Sequence, residues 1–319
     1  MQKDKSQVFG QEGVFQTASG PDGTHVEMPY SGIRTFMRRR LCMDFSDVDM
    51  AVLGIPFDLT TSGRSGSRYG PSALREASTQ LAWGEVWPWG FDPFDRLSVV
   101  DCGDVPFRRG QGAQMYEVAT ELARQVIDSG AQTIMMGGDH SASYSMLKAN
   151  AEKYGPLALV QFDAHRDTQK SEYLDHGTFV HHAMQEGLID PKRSIQIGIR
   201  TFYDDDDDIT VLFRDWLHDH TADEMQAHIE EVVGSGPAYL TIDIDSLDPA
   251  FAPGTGTPVV DGLAPNDIIR FLRRSGGIDF VGMDLVEVAP AYDPAGVTAL
   301  MGASMMLEYI CAIAAKKGG

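Results

Sequence analysis

The feature that most limits the fold of this chain is a series of short runs that stay apolar instead of alternating. Met50-Ala51-Val52-Leu53-Gly54-Ile55, Leu97-Ser98-Val99-Val100, Thr133-Ile134-Met135-Met136 and Leu159-Val160-Gln161-Phe162 are of this kind. A strand with one wet face alternates. A strand that is apolar almost throughout is buried on both faces, the condition inside a parallel sheet covered by helices. Strands are predicted at about 50–56, 97–101, 132–136, 157–163, 194–199, 209–213, 237–243 and 279–286. Helices fall between several of them, at about 71–78, 114–127, 141–153, 178–187, 221–233, 264–274 and 296–315. Pro71 suits the first turn of its helix, and Gly130 stops the helix before it. Roughly eight strands with interleaved helices fit two α/β architectures: a (β/α)8 barrel, or an open sheet between helical layers. Pattern alone does not separate the two.

The bulk properties narrow the function. No linker or internal repeat divides the 319 residues, so the expectation is a single domain over 1–319. Residues 1–48 form a polar N-terminal segment, solvated or facing another subunit, and Arg38-Arg39-Arg40 lies in it. A net charge of -20 and a pI near 4.7 argue against nucleic acid or an anionic membrane as partner. Met1-Gln2-Lys3-Asp4-Lys5-Ser6 opens a polar stretch without the apolar segment of a signal peptide, and no apolar run approaches the roughly 20 residues that span a bilayer. Cys42, Cys102 and Cys311 are far apart and form no C-x-x-C, so the default setting is a reducing cytoplasm. The Gly/Ser-rich stretch Thr61–Gly70 lacks the Gly-Lys-Ser/Thr of a P-loop, and Asp204–Asp208 reads as a solvated acidic loop.

Three strand ends carry the chemistry. The run Leu159–Phe162 ends in Asp163, His165 and Asp167, at alternate positions that share one side of an extended chain. Tyr239-Leu240-Thr241-Ile242 ends in Asp243 and Asp245, and Thr133–Met136 runs into Gly137-Gly138-Asp139-His140. A carboxylate at the end of an apolar strand is costly unless it is paired or holds a metal. Carboxylates and imidazoles together suit two hard-to-borderline divalent ions. Both candidate architectures gather ligands at the carboxyl ends of their strands.

These segments resemble the ureohydrolase (arginase/agmatinase) family. The resemblance rests on Gly137-Gly138-Asp139-His140, Asp163–Thr168, Asp243-Ile244-Asp245-Ser246-Leu247-Asp248-Pro249 and Gly254-Thr255-Gly256-Thr257-Pro258. It extends to the Arg64–Pro71 loop, His176-Gly177-Thr178 and Met283–Pro290, and so covers the chain from about residue 30, closest to bacterial agmatinases. It implies the three-layer α/β/α arginase-like fold with a mostly parallel sheet, two Mn2+ per chain, and a homo-oligomer, a trimer or hexamer. Carried over by motif, one ion is held by His140, Asp163, Asp167 and Asp243, the other by Asp163, His165, Asp243 and Asp245. The four carboxylates balance two divalent charges. His176 becomes the proton shuttle and Glu287 the clamp on a planar guanidinium. Asp139 and Asp248 read as supporting or turn residues, His181 and His182 as helix-surface residues.

The activity so implied is hydrolysis of a guanidino group to urea and an amine, with agmatine giving putrescine as the leading substrate. An arginase is less well matched, because Tyr173-Leu174-Asp175-His176 lacks the Ser-Gly-Asn that serves the amino-acid head group. Guanidinobutyrase or guanidinopropionase is the alternative, suggested by Arg166, where agmatinases commonly carry a small or uncharged residue. Strand alternation points Arg166 away from Asp163, His165 and Asp167, into a structural salt bridge. A single-zinc deacetylase has no use for His140, Asp167 and Asp245 together. A non-catalytic ureohydrolase-like binding protein would lack a ligand, and none is missing.

Overall fold

A computed structural model describes residues 30, 32–108, 110–202 and 207–317. Among the described residues nine strands form one sheet: β1 (Arg40–Leu41), β2 (Met50–Gly54), β3 (Val99–Asp104), β4 (Gln132–Met136), β5 (Ala158–Phe162), β6 (Ile195–Ile199), β7 (Thr210–Phe213), β8 (Pro237–Asp243) and β9 (Asp279–Val286). Their order is β1-β3-β2-β4-β9-β8-β5-β6-β7, and every pairing is parallel. The sheet runs open from β1 to β7, which decides between the two architectures the pattern allowed.

Successive strand residues feed opposite faces. Met50, Val52, Ile134, Met136, Val160 and Phe162 belong to one apolar core. Their neighbours Ala51, Leu53, Met135 and Leu159 belong to the other. Both faces are covered, so neither set alternates with polar residues. On the first face lie α1 (Gly70–Ser78), α6 (Ala222–Val233), α7 (Pro265–Arg274) and α8 (Val297–Lys317). On the second lie α2 (Gly112–Asp128), α3 (Ser143–Tyr154) and α4 (Phe179–Gln185). A short α5 (Arg214–Asp219) follows β7 directly. The result is a three-layer α/β/α arrangement.

Several expectations need correction. The sheet has nine strands, and the extra one, β1, comes from the segment expected to be solvated or to face another subunit. Two residues are too few to show a period. Phe36 and Met37 are fully buried, and Phe36 N donates to Asp101 Oδ2 at 2.7 Å. Residues 36–41 are therefore tied into the sheet and its core, while residues 1–29 of that segment lie outside the described residues. Arg39 is not a solvated charge: its guanidinium lies 4.0 Å from the centre of the Phe94 ring and its Nε donates to Met37 O. Helix α8 is long and apolar enough, by length and composition, to cross a bilayer, contrary to the expectation from the sequence. Of its apolar window 72% is buried inside the molecule, so packing against the sheet accounts for that composition.

The order of the middle strands positions the site. β4, β9, β8 and β5 are consecutive neighbours, and all four point their carboxyl ends the same way. Residues 140, 287, 243–245 and 163–167 lie at or just past those ends.

Candidate active site

His140 opens the turn after β4, capped by Asp139, whose carboxylate accepts from Ser141 N and from Thr60 N and Oγ1. The His140 Nε2 lies 2.8 Å from Thr241 Oγ1, and that hydroxyl donates its proton to Asp284 Oδ1 at 2.5 Å. Thr241 has one proton to give, so towards His140 it accepts. Nε2 of His140 therefore carries hydrogen, and in the neutral ring Nδ1 is a lone pair. That lone pair faces three carboxylates: Asp167 Oδ2 at 3.0 Å, Asp163 Oδ2 at 3.1 Å and Asp243 Oδ2 at 3.3 Å. A second group sits alongside, with His165 Nδ1 3.1 Å from Asp245 Oδ2 and 3.5 Å from Asp163 Oδ1.

Asp163 joins the groups, one oxygen towards each histidine. Each oxygen also accepts one fixed donor: Oδ1 from His165 N and Oδ2 from Gln161 Nε2, both at 2.7 Å. Asp243 Oδ1 accepts from Asp245 N at 2.7 Å, which holds the second Asp-x-Asp in the same way. Thr257 Oγ1 donates to Asp245 Oδ2 at 3.1 Å.

This much negative charge in so small a buried volume does not balance by itself. Burial, then the charges of Asp245 and Asp163, push the Asp243 carboxyl well above its ordinary range. Burial and Asp163 push Asp167 up to about 7. For His140 burial opposes the proton, but the hydrogen bonds to Asp163, Asp167 and Asp243 overcome it and raise the ring well above 6.5. His165 is pushed up to about 12, burial being outweighed by Asp245 and Asp163. Four carboxylates against two rings ask for further cations, and the donor set, oxygen with imidazole nitrogen, fits borderline divalent ions. His140, Asp163 and Asp167, and likewise Asp163, His165 and Asp245, bring one donor atom each to within 4.8 Å of the others.

Beside these groups is a cavity of about 520 Å³, walled in part by Ser62, His140, His165, Asp167, His176 and Asp243. Glu287 lies 1% exposed just past the end of β9. Its Oε1 accepts from His140 N at 3.0 Å and lies 3.2 Å from His176 Nδ1. Its Oε2 is buried and has no hydrogen-bond partner among the described residues. His176 Nε2 accepts from Ser62 N at 3.0 Å, so the proton of the neutral ring sits on Nδ1, directed at Glu287. Burial works against a second proton, but Glu287 raises the ring to about 9, and the amide of Ser62, which needs a lone pair at Nε2, works against it again. The hydrogen-bond geometry favours the neutral ring. Asp167 and Glu287 both have left-handed backbones, with φ of 55° and 62°. Each such residue costs on the order of 1–3 kcal/mol and is held there by its surroundings.

All eight residues expected at the site thus converge: His140, Asp163, His165, Asp167, His176, Asp243, Asp245 and Glu287. Arg166 is among the residues lining the cavity, but its guanidinium is buried and paired. Its side chain is 1% exposed, with Nη2 on Asp207 Oδ1 and Nε on Gln196 Oε1, both at 2.6 Å. This is the salt bridge that strand alternation suggests, and it corrects the view of the acidic loop at Asp207 alone, since Asp208 is exposed as expected. Asp207 is nearly buried and paired, while Asp204–Asp206 lie outside the described residues. Asp248 holds a turn through Ala250 N and Gly262 N. His181 and His182 are half-buried on α4. Sequence reasoning missed Ser62, Thr241, Asp284, Gln161 and Thr257, which orient the others.

The Arginase family model matches residues 48–312. The agmatinase of Chromobacterium violaceum is 47% identical over 299 residues, covering 92% of this chain and 93% of the relative. That of Serratia proteamaculans is 50% identical over 275 residues, 85% of this chain and 90% of its own. Among solved structures, a hypothetical agmatinase from Burkholderia thailandensis superposes with a TM-score of 0.90 at 47% identity, covering 92% of this chain and 95% of that one. The proclavaminate amidino hydrolase from Streptomyces clavuligerus gives 0.86 at 35% identity, covering 91% and 100%. The matched span begins before β2 and ends within α8, taking in every residue of the cavity wall and both histidine–carboxylate groups, and on that footing the chain belongs to the arginase family.

Proposed function

We propose that this chain hydrolyses agmatine to putrescine and urea at a pair of Mn2+ ions. One observation carries the reading: Asp163 is pinned between two histidine–carboxylate groups, one oxygen to each. His140, Asp163, Asp167 and Asp243 would hold one ion, and Asp163, His165, Asp243 and Asp245 the other. The fit is supported by the His140 lone pair facing three carboxylate oxygens, a repulsive contact unless a proton or a cation lies between. Two ions so held supply a water acidic enough to be a nucleophile near neutral pH. The rest belongs to side chains. Glu287 Oε2, the buried oxygen without a partner among the described residues, accepts from the guanidinium and fixes its plane. The oxygen of water bonds to the guanidino carbon, the bond from that carbon to the alkyl nitrogen breaks, and both protons of the water end on the departing amine, one of them relayed by His176, which leaves urea and an alkylammonium.

The relatives named as agmatinases support the cationic tail. So does Arg166, whose pairing with Asp207 and Gln196 removes the one sequence feature that suggested a guanidino acid. The same reading takes residues 1–319 as a single domain working in the cytoplasm as a trimer or hexamer, which sedimentation would test. For the activity, the test is urea release over agmatine, arginine, 4-guanidinobutyrate and 3-guanidinopropionate, with metal analysis. Agmatine turnover with two Mn2+ per chain is expected. Hydrolysis of a guanidino acid with agmatine ignored, or full activity on a single zinc, would refute the proposal.

A further inference from the structure

From Asp163 runs a buried chain of polar side chains that nothing in the proposed chemistry uses. Gln161 lies on β5 and Gln196 on β6, directly opposite one another in the sheet register, and both are fully buried. Gln161 Nε2 donates to Asp163 Oδ2, and Gln161 Oε1 accepts from Gln196 Nε2, both at 2.7 Å. Gln196 Nε2 donates also to Arg166 O, and Gln196 Oε1 accepts from Arg166 Nε, both at 2.6 Å. Asp207 supplies the counter-charge to Arg166 at the far end.

The direction of this chain is fixed from one end. A guanidinium only donates, and a backbone carbonyl only accepts. Arg166 therefore grips Gln196 by both edges of its amide and allows one orientation. Gln196 then offers N–H to Gln161, so Gln161 must turn its oxygen towards Gln196 and its N–H2 towards Asp163. In the opposite sense Gln161 would set an oxygen against the carboxylate. With the donors in place, one lone-pair side of each Asp163 oxygen is occupied, and the other is left facing its histidine.

We infer that Arg166, Gln196 and Gln161 act as positioning residues, a directional hydrogen-bond relay that holds Asp163 in the orientation able to serve both metal sites. The inference rests on the two-ion reading above. It makes Arg166 neither a substrate contact nor an isolated surface pair.

The test reverses the relay without touching the site. In Gln196→Glu the new carboxylate still accepts from Arg166 but has no N–H for Gln161. Gln161 must then turn its N–H2 towards that carboxylate and its oxygen towards Asp163. Coulomb attraction alone predicts that an added carboxylate tightens cation binding, whereas the relay predicts weaker binding. Mn2+ would be titrated into metal-free protein and the free ion followed by electron paramagnetic resonance, with thermal melting of the metal-free protein as a fold control. Gln161→Met, which removes the last donor, should weaken Mn2+ binding about 10–100-fold, the usual scale for partners of metal ligands. Gln196→Glu should do the same, and the double variant should be no weaker than Gln161→Met alone. Equal or tighter binding by both single variants overturns the inference, as does a lowered melting temperature with unchanged affinity, or full additivity in the double variant. Wild-type protein that takes up no pair of ions overturns the metal reading and this inference together. A wild type that binds two ions beside variants that bind as well overturns the inference alone.

Discussion

Thr241 offers the sharpest test of how the site is built, because its hydroxyl does two jobs at one atom. It accepts from His140 Nε2 at 2.8 Å and donates to Asp284 Oδ1 at 2.5 Å. Thr241→Val keeps the shape and deletes only the hydroxyl. His140 then loses what fixes its tautomer, so Nδ1 is no longer held as a lone pair towards Asp163, Asp167 and Asp243. Loss of such a partner weakens metal binding about 10–100-fold, which is about 1.4–2.7 kcal/mol at 25 °C. Folding is penalised separately. Asp284 keeps Tyr239 on its other oxygen at 2.9 Å, but two buried polar atoms lose a partner, at about 1–3 kcal/mol each. Thr241→Ser retains the hydroxyl and should restore Mn2+ affinity to within about threefold, the remaining cost being a lost methyl group in the core. Calorimetric titration of Mn2+ into the three metal-free proteins separates these cases. Wild-type affinity in Thr241→Val, or equal weakening in the serine and valine variants, would show that the hydroxyl does not set the tautomer.

Four further outcomes are expected. Glu287→Gln should lower kcat/KM about 10–150-fold for every guanidino substrate alike, from loss of a charged hydrogen bond worth about 1.5–3 kcal/mol; a loss confined to one substrate would place that residue at the tail instead. His176→Asn should keep its metal and slow turnover roughly 10²–10⁴-fold, whereas Asp163→Asn or Asp243→Asn should lose metal and turnover together, as elemental analysis beside urea assays will tell. Asp58 is held below the usual carboxylate range: burial raises it, but Arg68, then the Gly66 and Arg68 amides, outweigh burial. A depressed folded pKa stabilises above the unfolded value, so the melting-temperature gap between wild type and Asp58→Asn should be full near neutral pH and close as pH drops below about 3.9. Gly138→Ala should abolish soluble folded protein or cost more than about 4 kcal/mol, since its Cβ would lie 1.7 Å from Phe57 O in rigid backbone; a soluble variant with a wild-type melting curve would contradict that.

What was legible in the chain and what was not follow from the range of each interaction. Two-sided burial is a local property, so runs such as Met50–Ile55 announce an interior parallel sheet unaided. Closure depends on the two edge strands, and no single run reports it; the family resemblance, not the pattern, distinguished open sheet from barrel. β1 escaped notice because its partner β3 lies some 60 positions away in register, Arg40 opposite Val100. The ligands were legible because Asp163, His165, Asp167, Asp243 and Asp245 follow strand geometry. Their supports were not, because Thr241 and Ser62 meet partners 101 and 114 positions distant. A signal was nevertheless present. Gln161 and Thr241 are polar residues inside apolar strands, each two positions before the first aspartate of its motif, and alternation places them on the side of that aspartate. Within the acidic run only the pairing of Asp207 was illegible, because its partner Arg166 lies 41 positions away.

The place of β9 bears on how the molecule is made. As a nascent chain leaves the ribosome, β1 to β4 can assemble as one half-sheet and β5 to β8 as another, but β4 and β8 are not neighbours. The strand that joins them, Asp279–Val286, is the last to be synthesised. His140 belongs to the first half, while Asp163, His165, Asp167, Asp243 and Asp245 belong to the second, and Glu287 arrives with the joining strand itself. Until that strand is inserted the second half lacks His140, so the group built around that ring cannot close and the pair stays incomplete. Each half also presents an open β edge to its surroundings, an exposure that favours slow, late completion and a need for protection from aggregation on the way.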